Sequence, residues 1–237
     1  MNKIPKINSK GFTIMELMIA ISILSIILLI SSMVLIGVGN LYSKGADMAN
    51  VQNVSRNIIE NVTSTIQFSG AQLNNGVSAS PIVYDYSFGA VNVPVSAYCF
   101  GQTRYSFVTG FPPTGWSHLI WLDKMATPGS CAPLNISQAT PSCAGNSNPN
   151  CISSQSGSGN ELLNANMHLA NFSIEEYNPQ LYGISVGVAF GQENMFLSNA
   201  GVPKLIDGDN YQCSNNAGQQ YCATSYLTTF ATERLYP

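Results

Sequence analysis

The sequence predicts an α+β fold: one long N-terminal α-helix, apolar in its first half, followed by an antiparallel β-sheet head. Three observations lead there. Leu17–Val38 (LMIAISILSIILLISSMVLIGV) runs 22 residues without a charge or a proline. Apolar residues then recur at helical spacing as far as Ile66. Beyond Asn74-Asn75-Gly76 the pattern changes to short strand-like runs separated by turn residues.

Composition agrees with a division of labour along the chain. Of 237 residues, only 9% are charged, against about 25% in an ordinary soluble domain. Yet 45% are hydrophobic, which excludes a disordered chain. Polarity comes instead from 24 Asn and 28 Ser. A surface of that kind carries no basic field for reading phosphates.

The first element is long enough to cross a bilayer. At about 1.5 Å per residue the apolar run extends roughly 33 Å, and a hydrocarbon core is about 30 Å thick. Lys3, Lys6 and Lys10 precede it without an intervening acid, so the N-terminus is expected inside and the head outside. A cleavable secretory signal has only 7–15 apolar residues and a small-residue exit site. Here the run is longer, and Gly37-Val38-Gly39-Asn40 is no such site.

Glu16 interrupts the apolar pattern at its start, within Gly11-Phe12-Thr13-Ile14-Met15-Glu16-Leu17. A carboxylate near the bilayer centre costs about 2.5–3.5 kcal/mol on insertion scales; at headgroup level it costs little. A functional role requires a positive partner. Cleavage after Gly11 creates one, a free amine on Phe12, four residues before Glu16.

Lys10-Gly11-Phe12-Thr13-x-x-Glu16, followed by about twenty apolar residues, resembles the signal of type IV prepilins and type II secretion pseudopilins. The resemblance covers residues 6–40 and implies a pilin-like fold. It further implies cleavage between Gly11 and Phe12 by a membrane prepilin peptidase, N-methylation of Phe12, and filament assembly through Phe12 and Glu16. The partners it implies are other pilin or pseudopilin subunits, the peptidase, an inner-membrane assembly platform and membrane lipid. In a low-dielectric filament an unpaired charge is costly, so pairing of Glu16 with a neighbour's Phe12 amine would reward correct docking. Where many pilins have proline, this chain has Met33, flanked by Ser31, Ser32, Gly37 and Gly39. Those residues either let the helix melt locally in a filament or allow close helix packing.

The helix continues past the membrane. Val51, Val54, Ile58, Val62 and Ile66 form one apolar stripe, and the helix is expected from Phe12 to about Phe68, ending at Ser69-Gly70. Strands are expected at 81–88, 91–100, 103–108, 118–122, 167–177, 181–190 and 225–230, with Asn178-Pro179-Gln180 as a hairpin turn. The alternation in 167–177 is partial, which leaves its faces open. Residues 126–160, rich in Pro, Ser, Gly, Asn and Cys, are expected to form a long, tip-like loop outside the core. The domain layout is a leader at 1–11, a membrane and assembly helix at 12–39, and an exported head at 40–237.

Cys99, Cys131, Cys143, Cys151, Cys213 and Cys222 all fall in that head. An even number outside the membrane reads as up to three disulfides; no C-x-x-C or other zinc spacing occurs. The spacing favours Cys213–Cys222 and leaves the pairing of the other four open.

Other motifs carry little. Gly183-Ile184-Ser185-Val186-Gly187 matches a nucleophile elbow, but that motif needs a strand–turn–helix and a following histidine. His118 and His168, the two histidines, both precede it, in strand-like runs. Asp207, Asp209 and Asn210 form a fragment of a calcium loop that reads first as a turn. Removing residues 1–11 leaves six basic and twelve acidic side chains, a formal −6, which argues against DNA as a partner. No cofactor and no enzymatic activity are expected.

The sequence thus points to a structural subunit, a minor pilin held in the cytoplasmic membrane before assembly and displayed on a cell-surface pilus after it. The alternatives are a type II secretion pseudopilin, and a membrane-anchored binding domain or pilus adhesin.

Overall fold

The computed structural model describes residues 12–125, 131–138, 159–178, 180–199, 202–206, 210–214 and 221–234. The chain divides into two compact units, Met1–Ser43 and Lys44–Pro237. One helix, α1 (Ile14–Ser69), contributes to both. It stays helical through Ser31, Ser32, Met33, Gly37 and Gly39.

In the first unit every residue from 12 to 42 is exposed. The apolar side chains therefore have nothing to bury against within the unit, as in a segment whose solvent is lipid or another subunit. Its serines do not break the apolar character. Ser22, Ser25 and Ser32 donate their hydroxyls back to the carbonyls of Met18, Ile21 and Leu28 at 2.7–2.8 Å. This satisfies each hydroxyl inside the helix without water.

In the second unit the stripe predicted on α1 is the buried face: Val51, Val54, Ile58, Val62 and Ile66 are at most 5% exposed. Two antiparallel sheets share the core with it. The first joins β1 (Ile82–Phe88), β2 (Val91–Phe100), β3 (Thr103–Phe107), β4 (Ile120–Lys124) and β5 (Asn160–Glu161) in sequential order. The second places β7 (Leu181–Phe190) between β6 (Met167–Asn178) and β12 (Ala223–Thr232). Short pairs complete the head: β8 (Ser198–Asn199) with β9 (Val202–Pro203), and β10 (Leu205–Ile206) with β11 (Asn210–Tyr211). Tyr98, Phe107 and Phe172 meet across the two sheets in edge and stacked contacts of 4.9–5.7 Å. Tyr105 ties sheet to helix, donating its hydroxyl to Asn61 Oδ1 at 2.8 Å beside Thr65 Oγ1 at 2.7 Å. Burial pushes that phenol up to about 12, so it stays a neutral donor.

The expected strands are present, with a few differences. The strand expected at 118–122 begins at Ile120, so His118 lies before it. The uneven alternation of β6 has a local cause: a bulge between Leu169 and Asn171 breaks the register with β7, and Leu169 and Ala170 are both buried.

The expectation that 126–160 lies outside the core is corrected for 131–138. Cys131, Leu134 and Ile136 are at most 1% exposed. This strap covers the face of the five-stranded sheet that carries Val93, Val95, Val108 and Trp121. Four ties hold it: the Cys99–Cys131 disulfide, Leu134 N–H to Ser106 Oγ at 3.0 Å, Tyr86 hydroxyl to the Pro133 carbonyl at 2.6 Å, and Arg104 Nη1 to the Ala132 carbonyl at 2.7 Å. The same Arg104 forms a bidentate pair with Asp123 at 2.6 and 3.0 Å beneath the strap. Sheet surface with alternating Val residues has to be covered by something, and a nearby apolar segment is the cheapest cover.

Candidate assembly site at the helix start

The helix opens with a reciprocal cap. Thr13 donates its backbone N–H and its hydroxyl to Glu16 Oε2, both at 2.9 Å, while Glu16 N–H donates to Thr13 Oγ1 at 3.2 Å. Two N–H groups that a helix start would leave unpaired are thereby satisfied. The first intrahelical bond follows, Leu17 N–H to the Thr13 carbonyl at 3.2 Å. Thr13, which stands in the sequence motif without a role of its own, thus caps the helix; the signal for it is Thr-x-x-Glu ahead of an apolar run.

Phe12 stands immediately outside the cap and is 81% exposed. An amine at that position would face the positive end of the helix macrodipole, which disfavours it. The Glu16 carboxylate sits on the same first turn, with both cap bonds on one of its oxygens. The arrangement can fix a carboxylate at the helix start and present a bare apolar helix behind it. Gly11 lies outside the described residues.

The remaining candidates are placed as follows. Cys213 and Cys222 are bonded, as are Cys99 and Cys131; Cys143 and Cys151 lie outside the described residues. Asp207 and Asp209 lie outside them too, and Asn210 uses its Oδ1 to accept the Tyr211 N–H at 2.9 Å. Among the described residues no group of three or more His, Cys, Asp or Glu side chains is arranged to hold a metal. Gly183–Gly187 lies inside β7, with Ile184 and Val186 facing the core. Gly183 has a structural reason: a Cβ there would come within 2.6 Å of the Tyr177 ring, which meets Phe230 at 5.6 Å.

A long helix that is apolar and uncovered at its start, joined to antiparallel sheets on its second half, is a pilin-like architecture. The family model of the prokaryotic N-terminal methylation motif matches residues 6–32, which span Gly11, Phe12 and Glu16. That motif is the type IV pilin signal and supports a pilin- or pseudopilin-like substrate of prepilin peptidase. No curated protein and no solved structure matches the chain.

Proposed function

We propose that the protein is a structural subunit of a type IV pilus-like filament, a minor pilin. It is inserted by its apolar helix, cleaved between Gly11 and Phe12, methylated on Phe12, and polymerised through that helix. The observation that carries this reading is the methylation motif at 6–32 on a helix whose residues 14–42 are exposed throughout. Lipid covers that surface before assembly, and neighbouring subunits cover it afterwards. Glu16 then pairs with the Phe12 amine of the subunit already in place, and its partners are other subunits, the peptidase and the assembly platform.

The test is co-fractionation of the tagged full-length chain with sheared surface filaments, in cells with and without prepilin peptidase. The chain should appear in filaments only when the peptidase is present. Glu16→Ala should leave it in the membrane fraction and out of the filaments. A chain found at the cell surface at equal levels without the peptidase contradicts the proposal.

A further inference from the structure

We propose that the outer edge of β12 pairs with β12 of a second copy of this chain, antiparallel and centred on Thr228. The two main sheets of the head present four edge strands, β1 and β5 in one and β6 and β12 in the other. Such edges offer unpaired N–H and C=O groups, and proteins guard them with charges, prolines, bulges or short length. Three of the four are guarded. β1 carries exposed Asp85 at its centre, and β5 is two residues long. β6 breaks register with β7 twice and exposes Glu175 and Glu176.

β12 has none of these devices. It pairs with β7 along its whole length, from Ala223↔Phe190 to Thr232↔Leu181, without a bulge. Its sequence, ATSYLTTFAT, holds no charge and no proline. Among the described residues no other strand pairs with it, and no other backbone group bonds to its free side.

The order of its side chains selects the partner. Thr224, Tyr226, Thr228, Phe230 and Thr232 point away from the core, while Ala223, Ser225 and Ala231 on the alternate face are buried. The outward pattern, Thr-x-Tyr-x-Thr-x-Phe-x-Thr, reads the same in kind from either end. About a two-fold axis at Thr228, Tyr226 of each copy lies opposite Phe230 of the other, and Thr228 lies opposite itself. Aromatic pairs and threonine pairs are favourable when directly opposed in antiparallel strands. Slipping the register by one residue sets outward side chains against core-facing ones. Slipping it by two sets each ring against a threonine. The rings are available for the contact: Tyr226 is 37% and Phe230 63% exposed.

The same two-fold reverses β12 and the α1 stripe that shares its core, so the two copies do not stand as parallel neighbours. The contact is therefore separate from the helix packing proposed for assembly, and its failure would leave that reading untouched.

A single strand pair is a small interface, so the test is disulfide trapping of the full-length chain in detergent micelles. Directly opposed Cβ atoms lie about 4.5–5.5 Å apart, so Thr228→Cys should cross-link to its own copy under mild oxidation. In Thr232→Cys the two sulfurs lie about 27 Å apart along the strands, and cross-linking should be lower by about fivefold or more. Adding Tyr226→Lys and Phe230→Lys to Thr228→Cys sets lysine against lysine on both sides of the axis and should abolish the cross-link. Thr228→Cys with Tyr226→Glu and Phe230→Glu should likewise fail to cross-link to itself. Mixed together, the two charged chains should cross-link again, lysine now facing glutamate. Four results overturn the proposal: no cross-link in Thr228→Cys, equal cross-linking in Thr228→Cys and Thr232→Cys, charged chains that still cross-link to themselves, or a mixture that stays unlinked.

Discussion

Thr13 and Glu16 cap the long helix reciprocally, with the threonine N–H and hydroxyl both 2.9 Å from one glutamate oxygen. The carboxylate therefore has two separable jobs: capping its own helix and carrying a charge. Gln replaces Glu in such a box without losing the cap. Glu16→Gln should keep the helix start ordered yet incorporate into filaments as poorly as Glu16→Ala. Thr13→Val should weaken the helix start by about 1 kcal/mol. Amide hydrogen exchange at Ile14–Leu17 reads the cap, and filament shearing reads incorporation. Normal incorporation of Glu16→Gln would show that the cap, not the charge, is what assembly needs.

The strap at 131–138 makes the Cys99–Cys131 disulfide the more costly of the two to lose. Its sequence separation is 32 residues against 9 for Cys213–Cys222. Chain entropy alone favours the longer loop by about 1 kcal/mol. Freeing the strap also uncovers the Arg104–Asp123 pair, which is desolvated on both sides. The Cys99→Ser/Cys131→Ser double variant should lose about 4 kcal/mol or more in denaturant melts, and Cys213→Ser/Cys222→Ser about 3 kcal/mol. Equal losses would mean that the strap contributes nothing beyond its tether.

Glu161 predicts a pH dependence with a definite sign. Burial raises its pKa to about 7 from 4.5, although three backbone N–H groups pull it down. The folded carboxyl thus holds its proton more tightly than the unfolded one. Its contribution to stability is full below about pH 4.5 and is lost as pH rises through about 7, with a slope of at most about 1.4 kcal/mol per pH unit. Melting temperature should fall across that window in the wild type and change much less in Glu161→Gln. Parallel profiles would remove Glu161 as the cause.

Gly183 is expected to matter for packing and Ser185 not at all for chemistry. Gly183→Ala should push the Tyr177 ring off its place over β7, since the added Cβ would come within 2.6 Å of it. The ring is the free end of an exposed side chain, so the cost should be about 1 kcal/mol. Loss of Tyr177–Phe230 ring contacts in NMR reads the displacement. Ser185→Ala should leave stability within about 0.5 kcal/mol.

What the sequence made legible had a period. The stripe from Val51 to Ile66 is the buried face of α1, and β2 and β7 occupy the spans their residues indicate. What escaped lacked one. Cys131–Ile136 is core, but a single-pass strap held by a disulfide, a buried arginine and a tyrosine hydroxyl leaves no repeating pattern to read. Proline and serine around it carry the signature of a loop. The bulge at Ala170 shifts the face of β6 midway, so alternation fails where a tertiary contact decides. At the helix start the order of residues singles out Phe12, Thr13 and Glu16 as a motif, while the bonds that make Thr13 and Glu16 a reciprocal cap are seen only in the structure.

The central claim is that this chain is processed as a prepilin. Mass spectrometry of the N-terminal peptide of the mature protein tests it most directly. The account predicts a chain that begins at Phe12 and carries one methyl group on its amine. An intact Met1, or a first residue beyond Val38, would contradict it.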